Sequence, residues 1–265
     1  MPSMRVDFGH AVLGRTGITV GRLGISAGYG VPAAAVEQAF DCGVNYLYWG
    51  SRRTGEFGTA LRNLRPRRAE MVLVIQSYSR VASLLRWSVE RALRAIGYDS
   101  ADVLLLGMWN KTPPDRIMDA ALEVQRSGLA RHLGVSTHNR PLAPSLAARF
   151  DVIHFRYNAV HTGAERDIFP ALPPDPPGLV SFTATSWKQL LRSRRIPANE
   201  RTPTAADAYR FVLSRPEVDV CMTGPGDAGQ VREALRALEL GPMSDDELAW
   251  MRRVGDAIYG KKRPV

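Results

Sequence analysis

Lysine is scarce in this chain. Of 35 basic residues only Lys111, Lys188, Lys261 and Lys262 are lysines, and the arginines are spread along all 265 positions. A formal charge of +9 would suit a nucleic-acid partner, yet the cations never form a block and no zinc-finger or RNA-binding signature occurs. Pairs such as Arg67–Arg68, Arg194–Arg195 and Arg252–Arg253 read as solvated helix faces, so no nucleic-acid partner is expected. Cysteine is nearly absent too. Cys42 and Cys221 both stand in apolar surroundings and read as small buried residues of a reducing compartment, not as a disulfide or metal pair. No apolar run approaches the ~20 residues needed to span a bilayer, and a basic-then-apolar leader is missing. The expectation is a cytoplasmic protein with no membrane partner. Protein partners are not legible.

What is present is alternation. A hydrophobic share of 45% supports one sizeable core, and no linker divides residues 1–265, so a single domain is expected. His10 to Ile25 contains two short β-like runs flanking Arg15-Thr16-Gly17, a hairpin that leads into a first strand. Ala33–Asp41 follows at helical spacing, with Ala34, Val36, Ala39 and Phe40 apolar and Gly43 as its C-terminal cap. Val44–Trp49 is a strand and Gly55–Leu64 a helix. Met71–Ile75 is a continuous apolar run suited to a parallel strand buried on both faces. Arg80–Ile96 carries Leu84, Leu85, Val89, Leu93 and Ile96 in one stripe. Strand Val103–Leu106 precedes a helix from Pro113 to Gly128 with Ile117, Ala121, Leu122 and Val124 inward.

The same alternation runs through strands Arg131–Ser136, Val152–Arg156, Leu179–Ala184 and Val218–Met222 and their helices. A last helix, Ser244–Tyr259, opens on Ser-Asp-Asp-Glu, a good N-terminal cap. Eight β-then-α units predict an α/β fold, a (β/α)8 TIM barrel with an N-terminal β-hairpin and an extra C-terminal helix. An open doubly wound sheet would want Gly-x-Gly-x-x-Gly after its first strand; Gly24–Gly30 lacks that spacing.

Several segments resemble the aldo-keto reductase superfamily, in order and over nearly the whole chain. LGRTGITVGRLGIS (Leu13 to Ser26) looks like its opening hairpin and first strand, and GVNYLYW like its second strand. RWSVERALRAIGYDSADVLLL (Arg86 to Leu106), GLARHLGVST (Gly128 to Thr137) and FVLSRPEVDVCMTGPGDAGQVREAL (Phe211 to Leu235) match later segments. The resemblance implies hydride transfer from a nicotinamide to a carbonyl, with a tyrosine giving the proton, a lysine–aspartate pair lowering its pKa and a histidine orienting the carbonyl.

Laid on this sequence, those four positions are Tyr48 for the aspartate, Arg53 for the tyrosine, Gln76 for the lysine and Gly107 or Met108 for the histidine. All four residues of the tetrad are thus replaced, with Tyr78 and Lys111 nearby. A Tyr48/Gln76 hydrogen bond would stand in for the ion pair, and Tyr48 or Tyr78 would be the proton donor. Arg53 keeps its proton at neutral pH and would instead bind an anion.

The cofactor side is better matched. Gly224 and Gly226 precede a helix and would receive a phosphate; Gln230 and Glu233 stand where the family contacts the adenine end. Phe182 would pack on the nicotinamide, while Ser136, Thr137 and His154 would hold its carboxamide. NADP(H) or NAD(H) is implied. Asp227 opposes a 2′-phosphate while Arg232 and Lys188 favour one, a balance that tips slightly to NADP. Trp49, Trp109 and Trp187 with Tyr48 would wall a pocket, and Lys188, Arg53 and Arg156 would favour a small anionic substrate.

His138, His154 and His161 lack the spacing and inward carboxylate of a metal site. Three readings stay open: an atypical NAD(P)-dependent oxidoreductase on a small carbonyl or alcohol, a catalytically silent nucleotide- or metabolite-binding barrel, and a non-redox isomerase or lyase using the same pocket.

Overall fold

Apolar runs bounded by turn residues close on themselves here. The computed structural model describes residues 8–50 and 52–260, so Ser51, Lys261 and Lys262 lie outside the described residues. Strands β1 (His10–Val12) and β2 (Thr19–Gly21) form the antiparallel hairpin. The barrel strands are β3 (Leu23–Ser26), β4 (Tyr46–Trp49), β5 (Val72–Ser77), β6 (Ala101–Leu106), β7 (Ala130–Thr137), β8 (Val152–Arg156), β9 (Gly178–Phe182) and β10 (Val220–Thr223). They pair in parallel in chain order, and β10 closes on β3. The predicted barrel and hairpin are therefore present.

Helices α1 (Ala33–Asp41), α2 (Gly55–Asn63), α3 (Ala82–Ile96) and α4 (Asp115–Arg126) cover one side. The short α5 (Ala143–Leu146), α6 (Ala164–Asp167) and α7 (Gln189–Arg192) are followed by α8 (Ala205–Leu213), α9 (Ala228–Leu240) and the C-terminal α10 (Asp245–Tyr259).

Strand alternation divides the apolar side chains into two bodies. Tyr46, Val72, Val74, Val103, Leu105, Val152, Val180, Val220 and Met222 fill the barrel interior. Leu47, Trp49, Leu73, Ile75, Leu104 and Phe155 point outward into the layer shared with the helices. The hairpin plugs the N-terminal end with Leu13 and Val20. Gly14 makes this closure possible: its φ is +45°, and a Cβ there would lie 2.2 Å from the Gly178 amide nitrogen.

The N-terminal face is stitched by a recurring device. Asn45, Asp102, Asp151 and Asp219 each stand at the start of every second barrel strand. Each accepts a backbone amide from the chain beside it, respectively Gly21, Leu73, Leu133 and Leu179, at 2.8–3.0 Å. These amides would otherwise be orphaned at the strand ends.

Some expectations fail on the helix faces. Ala34 is exposed and Ala35 buried instead; Leu84 and Leu122 lie just outside the buried arcs of α3 and α4 and are also exposed. Cys42 is exposed because it follows the last turn of α1, whereas Cys221 is buried as predicted.

Candidate active site at the C-terminal mouth of the barrel

In parallel barrels the loops at the C-terminal strand ends carry the chemistry. Here that face also carries the strain. The five non-glycine residues with positive φ among those described are Met108 after β6, and Thr183, Ser186, Trp187 and Lys188 after β9. Each costs on the order of 1 kcal/mol or more, which only a surrounding structure that fixes the loop can sustain.

Tyr46 and Tyr48 alternate inward on β4, and both rings lie 5.9 Å from the His154 ring on β8, the strand across the barrel. His154 is bonded to the Tyr46 hydroxyl at 2.7 Å. Burial drives its pKa down to about 3, so the imidazole is neutral. Above it the Tyr48 hydroxyl donates to Oε1 of Gln76. Burial raises the Tyr48 pKa, reinforced by the neighbouring Tyr78 and only partly opposed by the Arg53 charge. Tyr48 is thus a neutral phenol at any physiological pH.

Gln76 also meets the position after β6. A Cβ on Gly107 would fall 2.6 Å from Gln76 Nε2 and 2.8 Å from the Tyr78 ring. Those two side chains occupy the room that a residue at 107 would need. Tyr48, Gln76, Tyr78 and Gly107 therefore converge in a neutral cluster.

Arg53 has a structural task. Its Nε donates to the Gly50 carbonyl at 3.0 Å and an Nη to the Gln76 carbonyl at 2.9 Å, tying the β4 and β5 loops together. The guanidinium lies over the outward-facing Trp49, 5.8 Å from its ring. Trp49 is not a pocket wall. Odd and even positions of β4 face opposite ways, so Trp49 stacks on Phe57 of α2 in the outer layer. Trp109 is likewise buried in that layer, with Arg80 4.1 Å above it. Trp187 and Lys188 are exposed on the β9 loop.

Ser136 faces the interior at the end of β7, and its hydroxyl accepts from the Met108 amide at 2.8 Å. Thr137, one residue on, is turned to the loops, where its oxygen accepts from the Asn139 amide at 3.0 Å. Phe182 reaches the mouth from β9 and meets the His138 ring edge-on at 5.1 Å. His138 was not among the site residues expected from sequence.

The glycine loop is covered by a residue the sequence did not single out. Tyr29 follows β3, is 65% exposed, and lies so close over Gly224 that a Cβ there would be 2.4 Å from its ring. The end of α9 behind the loop is closed by its own Asp227, which accepts from the Gln230 amide at 2.8 Å and from the Gln230 side chain at 2.7 Å. Glu233 accepts from the Ala206 amide of α8 at 3.3 Å. The interior end of a nicotinamide dinucleotide site thus fits the residues present: Phe182 offers a face, and Ser136 a hydroxyl whose proton is uncommitted. At the phosphate end, Tyr29 and Asp227 occupy the seat.

A cavity of about 870 Å³ lies at the opposite end of the barrel beside Asn45 and Glu70. Its cations Arg68 and Arg131 are already paired with buried Asp102, at 2.8 and 3.6 Å. Among the described residues no cluster suits a metal ion, and no helix is long and apolar enough to cross a membrane.

A closed parallel eight-stranded barrel, plugged by a hairpin and presenting a tyrosine at the end of its second strand, defines the class of architecture. No family model matches the chain. The holo form of the aldo-keto reductase AKR11C1 from Bacillus halodurans superposes with a TM-score of 0.77 and 19% identity, over 94% of this chain and 96% of that one. Its apo form gives 0.76 and 20% over the same shares. The chain has the aldo-keto reductase fold.

Proposed function

We propose that this barrel binds a nicotinamide dinucleotide, NADP(H) in preference to NAD(H), and works as an atypical oxidoreductase on a small anionic carbonyl compound. The observation that carries the reading is the Tyr48–Gln76 hydrogen bond at the interior C-terminal end of the barrel. The dinucleotide would supply the hydride. Tyr48, raised in pKa by burial, stays protonated and serves as hydrogen-bond and proton donor to the developing alkoxide, so reduction is the favoured direction. The reverse reaction would need a tyrosinate, which this site makes rare. Reversal of the Gln76 amide would let its Nε2 donate to the phenol oxygen and free the Tyr48 proton for the ligand.

A phenol with a raised pKa is a weak acid, so turnover is expected to be slow. The expected result is quenching or shift of NADPH fluorescence on binding, and a slow NADPH oxidation with small carbonyls that Tyr48→Phe abolishes. Protein that leaves NADPH fluorescence unchanged sinks the reading.

A second reading, a catalytically silent metabolite-binding barrel, is favoured by the neutral cluster filling the space beside Gly107 and by Tyr29 covering Gly224. Nicotinamide binding without hydride exchange across a broad carbonyl panel would establish it. Substrate consumption without nicotinamide would instead favour an isomerase or lyase.

A further inference from the structure

Most arginines at the C-terminal mouth are already spoken for. Arg53 ties Gly50 to Gln76, and Arg80 donates to the carbonyls of Gly107 and Met108 at 2.8 and 2.9 Å. Arg156 differs. It stands two positions beyond His154 on the interior side of β8, across the barrel from Tyr48 on β4. Its Nε is buried with no hydrogen-bond partner, and among the described residues it has no carboxylate within ion-pair distance. Nearby charge does not compensate it. Arg140 and Arg166 both bind the single carboxylate of Asp167, at 3.2 and 2.7 Å. Burial first and Arg140 second depress the Arg156 pKa, and burial first and Arg156 second depress that of His138. Arg156 is half-buried with its Nε sealed from solvent, and such a guanidinium beside a second cation is costly unless an anion joins it.

The surroundings are aromatic. The Arg156 guanidinium lies 5.7 Å from the Trp187 ring, which is 55% exposed on the strained β9 loop. Trp187 meets the His161 ring edge-on at 6.0 Å, and Phe182 and His138 meet at 5.1 Å on the same rim. Flat apolar walls with one uncompensated guanidinium, facing a phenol hydroxyl across the mouth, suit a ligand with a flat body and charge at one end.

We infer that Arg156, backed by Arg140 and flanked by Trp187, Phe182 and His138, is the anion subsite of the mouth. The class of ligand it selects is an aromatic carboxylate whose carbonyl group is directed at Tyr48. The inference rests on the mouth being a ligand site, as in the proposed function, but not on hydride transfer or on the dinucleotide.

The test is calorimetric titration without NADPH, using 4-formylbenzoate and its methyl ester as probes. A single charge-assisted contact predicts that wild-type protein binds the acid at least about tenfold tighter than the ester. Arg156→Met, which keeps the bulk, should bring the acid down to the level of the ester and leave the ester unchanged. Added salt should weaken only the acid. Equal affinity of wild-type protein for acid and ester, absence of binding by both, or an Arg156→Met variant that keeps the preference for the acid would each overturn the assignment. If Arg156→Met does not fold, the acid–ester difference and its salt dependence decide. Because no nicotinamide is present, failure here is distinct from failure to bind NADPH.

Discussion

The Tyr46 hydroxyl and the Nε2 of His154 lie 2.7 Å apart inside the barrel, joining β4 to β8 through two fully buried side chains. Neither finds water there, so each depends on the other. Tyr46→Phe should strand the imidazole and cost about 1–3 kcal/mol, read from urea unfolding at neutral pH. A variant as stable as wild type would mean that His154 finds another partner. The pair also sets an acid limb. The folded His154 pKa is depressed to about 3 from 6.5, so its contribution to stability is present above 6.5 and lost as pH falls toward 3. The loss is on the order of a few kcal/mol. His154→Gln should remove this limb.

Asp219 works in the opposite sense. Burial raises its carboxyl to about 6, only partly offset by the Leu179 and Gly14 amides and by the Arg22 charge. A raised folded pKa gives stability that is present below 3.8 and lost as pH rises through about 6. Asp219→Asn keeps an acceptor for the Leu179 amide and should flatten this part of the profile, gaining on the order of 2–3 kcal/mol at pH 7 relative to wild type. Unfolding midpoints from pH 4 to 8 test it, and identical pH profiles for the two proteins would refute it.

Tyr29 lies across the glycine loop after β10. If a dinucleotide must displace it, Tyr29→Ala should tighten NADPH binding by about three- to tenfold, since displacement of the ring no longer counts against binding. Fluorescence titration measures this. Weaker binding in the variant would show that the ring is a contact and not a cover.

The barrel was legible because its parallel strands are short apolar runs and its longer helices are amphipathic; Val152–Arg156 and Ala33–Asp41 were predicted to the residue. The Asx–strand stitches were legible in principle, as Asp-Val precedes or opens three strands at 102–103, 151–152 and 219–220. The site was harder. Tyr48 and Gln76 follow from strand alternation, and the same alternation sends Trp49 outward, a consequence the pocket expectation overlooked. Nothing in residue type separates Arg53, bound to loop carbonyls, from Arg156, which has no such acceptor; only tertiary partners do. The Tyr29 cover joins β3 to the loop after β10, nearly two hundred residues away, and leaves no local mark.

The Gly107 position separates stability from function most sharply. A methyl group there would meet Gln76 Nε2 at 2.6 Å and the Tyr78 ring at 2.8 Å, both far ends of side chains and not backbone. Tyr78 is 44% exposed and has room to swing outward. Gly107→Ala should therefore leave the folded state within about 1 kcal/mol of wild type, since a surface ring and an amide can both give way. Gln76 cannot give way without moving the acceptor of the Tyr48 hydroxyl. A tyrosine that has lost its orientation should lose about tenfold or more in NADPH-dependent reduction, since small misplacements of a reacting group carry large rate penalties. Melting midpoint and turnover measured on one preparation test both halves. A large fall in melting midpoint would show that the cluster is rigid, and unchanged turnover in a folded variant would remove Tyr48 and Gln76 from the reaction.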